Sequence, residues 1–480
     1  MASIKDQTLK GVKWSAVEKF SLQAIQFIFG LIMARLLTPS DYGIIGMVTV
    51  FLALSRTFSD SGFSRALIRK TDRTSDDCST VFIFNAVVSI FVYGILYVSA
   101  PYIALFFQIP LLTAVTRVVG LKIIIDALCI VQKALFTANI EFKVLARISV
   151  ISVLISGSIG IFLAYTGWGV WALVAQILLN SFFTTLFSWI YSSWRPLRRF
   201  SSQSFKELFS FGSKLMLSSI IATLYNEFIS LLIGKKFDSA SLGLFSRARH
   251  FANLPSGIFL DVIQRVTYPI LANIKDDDAR LTDIYRKYIR GSSLIVFFFM
   301  LLLLALARPI VLFLLSEKWE ECIPFLQILC LSTLPTHISA INLNLLQVKG
   351  RSDLFLNLEI IKRVISVAMM VIAVQWGVAA VCWALVIYGQ IAIVINTYYT
   401  GKLLGIGYWT QMKDFFPYFV MTSISVLPVF IICENNIFPN IIEIIFGAIL
   451  SIILYMTMLY FKKDEIFINF VVKRVKKYIK

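Results

Sequence analysis

The sequence predicts an all-helical protein that crosses a bilayer about fourteen times. Three observations carry this. Of 480 residues, 58% are hydrophobic and 15% charged, with a mean hydropathy of +0.81. A soluble chain needs more polar residues than that to cover its outside. The apolar residues fall in unbroken runs such as Ile295 to Ala307, not in the alternation of membrane barrel strands. Lys and Arg, finally, concentrate in alternate connections between the runs.

At roughly 20 residues per crossing, spans begin near Trp14, Tyr42, Thr80, Leu112, Ile148 and Val170. A second set begins near Phe211, Leu244, Ser292, Cys322, Ile360 and Val378, and a last pair near Asp414 and Ile441. The polar break from Ser192 to Ser210 separates an N-lobe (1–200, helices 1–6) from a C-lobe (201–401, helices 7–12). Two peripheral helices (402–461, helices 13–14) and a basic tail (462–480) complete the chain. With a cytoplasmic N-terminus, the inner segments hold 32 basic residues and the outer connections 3. The positive-inside rule then puts both termini in the cytoplasm of a multi-pass inner-membrane protein. The formal charge of +18 thereby faces anionic membrane lipids and not nucleic acid. The tail reads as an amphipathic segment on that surface or as a solvated end.

An internal echo appears at an offset of 200, where RLLTPSDYG (Arg35–Gly43) is matched by KKFDSASLG (Lys235–Gly243). A later one pairs GWGVWALV (Gly167–Val174) with QWGVAAVCWALV (Gln375–Val386). Two six-helix halves enter from the same side, so this is a parallel repeat, an architecture common in secondary transporters.

The six cysteines form no CxxC pair and only two histidines exist, which argues against a metal centre or cofactor. No nucleophile elbow or P-loop occurs, and the connections are too short to house a catalytic domain. These features point to a secondary transporter and away from an enzyme.

Charged residues inside a bilayer are costly and mark functional candidates. On the first span Ser15, Lys19, Gln23, Gln26 and Gly30 recur at helical spacing. Arg56 and Asp60 on the second span, and Lys122 and Asp126 on the fourth, stand one turn apart and can pair. Arg117 also lies on the fourth. The eighth carries Arg247, Arg249, His250, Asp261 and Arg265, with Pro255 able to kink it. Each pair has a purely structural reading, the orientation of neighbouring helices. Taken together they outline a hydrated cationic cavity suited to an anionic substrate. On the seventh span Thr223, Asn226, Glu227 and Ser230 share a face, a set of oxygens able to take a proton or a sodium ion as coupling ion, or to pair with an arginine.

The segments ARLLTPSDYGIIGM (Ala34–Met47), SDSGFSRALIRK (Ser59–Lys70), VTYPILANIKDDDARLTDIYRKYIR (Val266–Arg290) and QVKGRSDLFLNLEIIKR (Gln347–Arg363) add a resemblance to this reading. So does the long stretch from Phe211 to Phe259. Over roughly residues 1 to 400 the chain resembles the Wzx-type polysaccharide flippases of the multidrug/oligosaccharidyl-lipid/polysaccharide exporter superfamily. The resemblance implies two six-helix lobes around a central cavity and alternating access. It implies a substrate of undecaprenyl-diphosphate-linked oligosaccharide, moved across the inner membrane for lipopolysaccharide or exopolysaccharide synthesis. A polysaccharide polymerase and a chain-length regulator are the implied partners. Lys19, Arg56, Arg247 and Arg249 would meet the diphosphate, and Glu227 would couple an ion. Two alternatives stay open: a multidrug or small-metabolite antiporter, expected to have an acidic cavity, and a membrane polymerase or ligase, expected to have a large external loop.

Overall fold

The computed structural model describes residues 21–60, 62–197 and 199–468, and among them every regular element is a helix. The chain clusters into two compact units, Met1–Gly243 and Leu244–Lys480.

Unit 1 contains α1 (Ser21–Leu36), α2 (Pro39–Asp60), α3 (Phe63–Arg69), α4 (Ser75–Phe107) and α5 (Leu111–Ala127). It continues with α6 (Ile130–Ala138), α7 (Phe142–Tyr165), α8 (Val170–Tyr191) and α9 (Ser202–Lys236). At the starts of α2 and α4 orphan amides are met by nearby side chains. At α4 the Asp77 N–H donates to Thr74 Oγ1 (3.2 Å) and the Thr74 N–H to Asp77 Oδ2 (2.9 Å). Thr38 and Asp41 make the same exchange at α2. The path through α5 and α6 breaks at Leu128–Cys129 without proline or glycine; the Cys129 N–H and thiol both donate to the Asp126 carbonyl, at 3.2 and 3.3 Å. The polar connection before α9 is stapled to α4, where Ser79 and Thr80 hydroxyls accept from the Leu197 and Ser201 N–H groups (2.9 and 3.0 Å). Because α9 packs on α2, α3 and α4, it clusters with unit 1.

The echo at offset 200 falls on a direct contact. A Cβ on Gly43 would lie 1.7 Å from the Ser239 carbonyl oxygen, and one on Gly243 would lie 1.9 Å from that of Pro39. Ser239 is Pro39 shifted by the repeat offset, so each glycine admits the other's helix start. The Ser40 and Ser239 hydroxyls hydrogen-bond alongside at 2.7 Å.

The next helix, α10 (Ser239–Asn273), runs unbroken through Pro255 and Pro269 and enters unit 2. There follow α11 (Asp278–Ala305), α12 (Ala307–Leu314), α13 (Cys322–Thr333), α14 (Thr336–Val348) and α15 (Ser352–Ala373). The unit closes with α16 (Val378–Leu404), α17 (Tyr408–Glu434), α18 (Asn440–Phe461) and the short α19 (Glu465–Phe467). Both α17 and α18 dock inside unit 2, on a core of Ala305, Leu306, Val426, Val429 and Cys433.

Among the described residues ten helices are long and apolar enough to cross a membrane, the α13–α14 pair counting as one. The four remaining expected spans fall on α1, α5, α10 and α15, which are shorter or more polar. Most of the basic tail, residues 469–480, lies outside the described residues.

Candidate functional site

Unit 1 carries a cavity of about 500 Å³ whose polar lining comes from α2, α3, α5 and α6. From α2 come Arg56 and Asp60, from α5 Lys122 and Asp126, and from α6 Lys133. The volume lies in the range of small-ligand sites.

The two one-turn pairs behave differently. Lys122 Nζ stands 2.8 Å from Asp126 Oδ2 and donates to the Ser181 hydroxyl of α8 at 2.5 Å. Arg56 and Asp60 form no such pair. Asp60 Oδ1 is buried with no hydrogen-bond partner among the described residues, and Arg56 projects, exposed, into the open space. Ser181 of α8 is a second anchor that holds Lys122 beside its acid. Lys133 likewise has no carboxylate within ion-pairing distance among the described residues. The cavity therefore presents two uncommitted cations, an arrangement that binds an anion with several oxygens; the guanidinium can do so through a bidentate fork.

The sequence alone places Lys133 in an inner connection, not in a cavity. A signal is nonetheless present, since Lys122, Asp126, Lys133 and Thr137 follow one another at spacings of 4, 7 and 4, a single helical stripe carried across the break into α6.

The other predicted residues are dispersed. Lys19 lies outside the described residues. On α1 Gln23 is half-buried and Gln26 exposed, and neither lines the cavity. Arg117 faces α4, its guanidinium 4.3 Å from the Tyr97 ring centre. In unit 2, Arg247 is buried over the fully buried Trp319 ring at 5.5 Å, Arg249 is half-buried and His250 exposed. On α9 the Thr223 hydroxyl lies 3.3 Å from that of Thr57 on α2, Ser230 is buried, Asn226 exposed and Glu227 half-buried. Thr223, Glu227, Ser230 and Gly234 form one stripe, and its ends touch α2 at Thr57 and Met47. The stripe is thus a helix-packing face, although Glu227 itself makes no hydrogen bond or ion pair among the described residues.

Just past the cavity-lining Ile68, Lys70 closes α3. Its ammonium meets Asp77 at 3.0 Å and Glu207 at 3.0 Å, joining α3, α4 and α9. Partial burial works against its charge, but the hydrogen bonds to Glu207 and Asp77 outweigh it and raise the pKa above the ordinary lysine value.

A sequence model of a family described as polysaccharide biosynthesis protein matches residues 32–324, which include the whole cavity. The chain belongs to that family. Among the chain's relatives is the teichuronic acid biosynthesis protein TuaB of Bacillus subtilis (strain 168), 24% identical over 356 residues and 74% of each chain. The lipopolysaccharide biosynthesis protein WzxC of Escherichia coli (strain K12) is 24% identical over 375 residues, 78% of this chain and 76% of its own. The fold matches that of the lipid II flippase MurJ in its inward closed conformation, with a TM-score of 0.75 at 15% identity, covering 94% of this chain and 99% of that one. The family is the one expected from the motifs, and the ten apolar helices together with these relatives make the chain a multi-pass protein of the bacterial inner membrane.

Proposed function

We propose that the protein is a flippase carrying undecaprenyl-diphosphate-linked oligosaccharide from the cytoplasmic to the periplasmic leaflet by alternating access. The observation that carries this is the cavity of unit 1, where Arg56 and Lys133 stand without carboxylate partners among the described residues. A diphosphate supplies the charge and oxygens those two groups lack. A multidrug antiporter would be served by the reverse balance, with carboxylates in excess. In this reading fourteen helices form two six-helix lobes and a peripheral pair, with both ends cytoplasmic. The work is transport and not catalysis, and a polymerase with its chain-length regulator would take over the delivered lipid. Coupling to a proton or sodium gradient would run through Glu227, whose carboxylate lacks a partner among the described residues on a face shared with Thr223. Ion binding there would favour one arrangement of the lobes over the other.

The test is a reconstituted assay of leaflet exchange, using a fluorescent polyprenyl-diphosphate oligosaccharide. Wild-type vesicles should expose it to an external glycosidase, and Arg56→Ala vesicles should not. Equal exposure in both, or none in wild type, would overturn the proposal.

A further inference from the structure

The cavity of Arg56 and Lys133 has one corner that offers acceptors instead of cations. On α2 the residues facing the space recur at helical spacing, and after Arg56 the stripe ends on Ser59 and Asp60. Asp60 is the last residue of α2, one turn and about 6 Å of rise beyond Arg56. Its carboxylate makes no hydrogen bond or ion pair among the described residues, and Oδ1 is buried in that state. The Ser59 hydroxyl beside it is likewise buried and unpartnered, in a residue 3% exposed. Gly62, left-handed at φ 72°, then turns the chain into α3, which adds Ser64 to the lining.

A bare carboxylate at this place is unfavourable twice over. Burial without a partner costs hydrogen bonds to water. The C-terminal end of a helix also opposes negative charge. Asp60 holds no neighbouring helix in return, so what it lacks is a donor brought by a ligand.

The rest of the lining narrows that donor. Asp126 is committed to Lys122, the Thr49 hydroxyl to the Ile45 carbonyl (2.7 Å) and the Thr137 hydroxyl to the Lys133 carbonyl (2.8 Å). Once a diphosphate has taken Arg56 and Lys133, the charge left open is the negative one of Asp60. A metal ion there would be repelled by the guanidinium one turn away. A neutral hydroxyl donor meets no such opposition. An ionised carboxylate only accepts, and its two oxygens can take two neighbouring hydroxyls of a sugar ring at once.

We propose that Asp60, assisted by Ser59, reads the sugar joined directly to the diphosphate, accepting from its hydroxyls and rejecting a uronic acid at that position. This deepens the flippase reading and rests on it for the nature of the lipid. Rejection follows from charge, because a uronate would face an acceptor-only carboxylate with no donor between them. The substrates are thereby narrowed to carriers whose first sugar is uncharged, whatever acids the later sugars hold.

The experiment is competition binding to the full-length protein in detergent, read by native mass spectrometry. Three polyprenyl diphosphates compete at equal concentration: one bare, one carrying glucose and one carrying glucuronate. Wild type should prefer the glucose lipid over each of the others by about tenfold, the size of one hydrogen bond to a charged group. Asp60→Ala should erase the advantage over the bare lipid. Asp60→Asn, which keeps the shape and removes the charge, should close most of the gap between glucose and glucuronate. Arg56→Ala should weaken all three lipids together and keep their order. Equal binding of the three by wild type, or a glucuronate deficit unchanged in Asp60→Asn, would overturn the proposal and leave the flippase reading standing. A glucose preference seen only with added magnesium would assign Asp60 to a metal ion and overturn it too. Binding of none of the three by wild type would overturn the flippase reading and the proposal with it.

Discussion

The two units place their charge differently, unit 2 pairing much of it between helices and unit 1 leaving some beside a cavity. In unit 2 the carboxylate of Asp414 on α17, 3% exposed, takes Arg286 through two bonds (2.8 and 2.9 Å) and Arg290 through a third (2.7 Å), both from α11. Nearby, Asn342, Thr400 and Gln411 close a buried polar ring that ties α14, α16 and α17. Lys362 holds Glu359 at 2.5 Å, and Arg308 holds Glu320 at 2.9 Å. Each of these charges has its counterion. Unit 1 also pairs Lys122 and Lys70, yet among the described residues it leaves Arg56, Lys133 and one oxygen of Asp60 open around a cavity. Charge that is satisfied fixes helix positions, whereas charge left unsatisfied beside a void is available to a ligand.

The largest effect expected from this contrast is on stability. Asp414→Ala strands two arginines on α11 and should cost about 3 kcal/mol, at the low end for a broken buried pair because both guanidinia are partly exposed. Thermal unfolding in detergent should show this as a clear drop in midpoint, with residual transport per folded molecule preserved. Arg56→Ala should do the reverse. Transport should fall by roughly 30-fold, the equivalent of about 2 kcal/mol for one charge-assisted hydrogen bond to the substrate, with no change in midpoint. If Arg56→Ala lowers the melting midpoint as Asp414→Ala does, the division of labour between the units is wrong.

How much of this is legible in the sequence depends on range. The apolar runs locate ten spans, and the 200-residue echo marks the contact of Gly43 with Ser239 and Gly243 with Pro39. Residues one turn apart are correctly expected as neighbours, but only Lys122 and Asp126 pair. Whether a local pair closes depends on a third group from a distant helix, here Ser181, which spacing cannot reveal. Asp414 lies 124 and 128 residues from its arginines, and all three sit where the sequence shows only connections or span edges. Lys133 escapes a sequence reading for a different reason: the α5–α6 break carries neither proline nor glycine, so nothing marks where the fourth span ends.

Lys133→Ala sharpens the comparison further. Its ammonium is a single point charge, so a loss of about tenfold in transport is expected, less than for Arg56. Lys133→Arg should restore most of it, and a deficit persisting in Lys133→Arg would mean that shape rather than charge matters at α6. The smallest effect belongs to Glu207→Gln. Glu207 is more than half exposed, so its pair with Lys70 is worth under about 1 kcal/mol. The raised pKa of Lys70 gives that contribution a pH signature. It is fully present below the ordinary lysine value and disappears as pH rises through the raised one. Stability scans at alkaline pH should therefore show a shallower decline in Glu207→Gln than in wild type.

The meeting of Gly43 with Ser239 and of Gly243 with Pro39 has a bearing on ancestry. A contact in which position i touches j and j touches i is what a two-fold axis produces between identical subunits. A half-length forerunner with one copy of this helix start could have dimerised through it, satisfying both glycine contacts with a single sequence. Fusion of two such genes would keep that joint while releasing the rest of each copy to diverge. The two clearances, 1.7 and 1.9 Å to backbone oxygen, leave no room for a side chain on either copy. A side chain at either glycine would force the opposing helix start to move, so the two positions are constrained together.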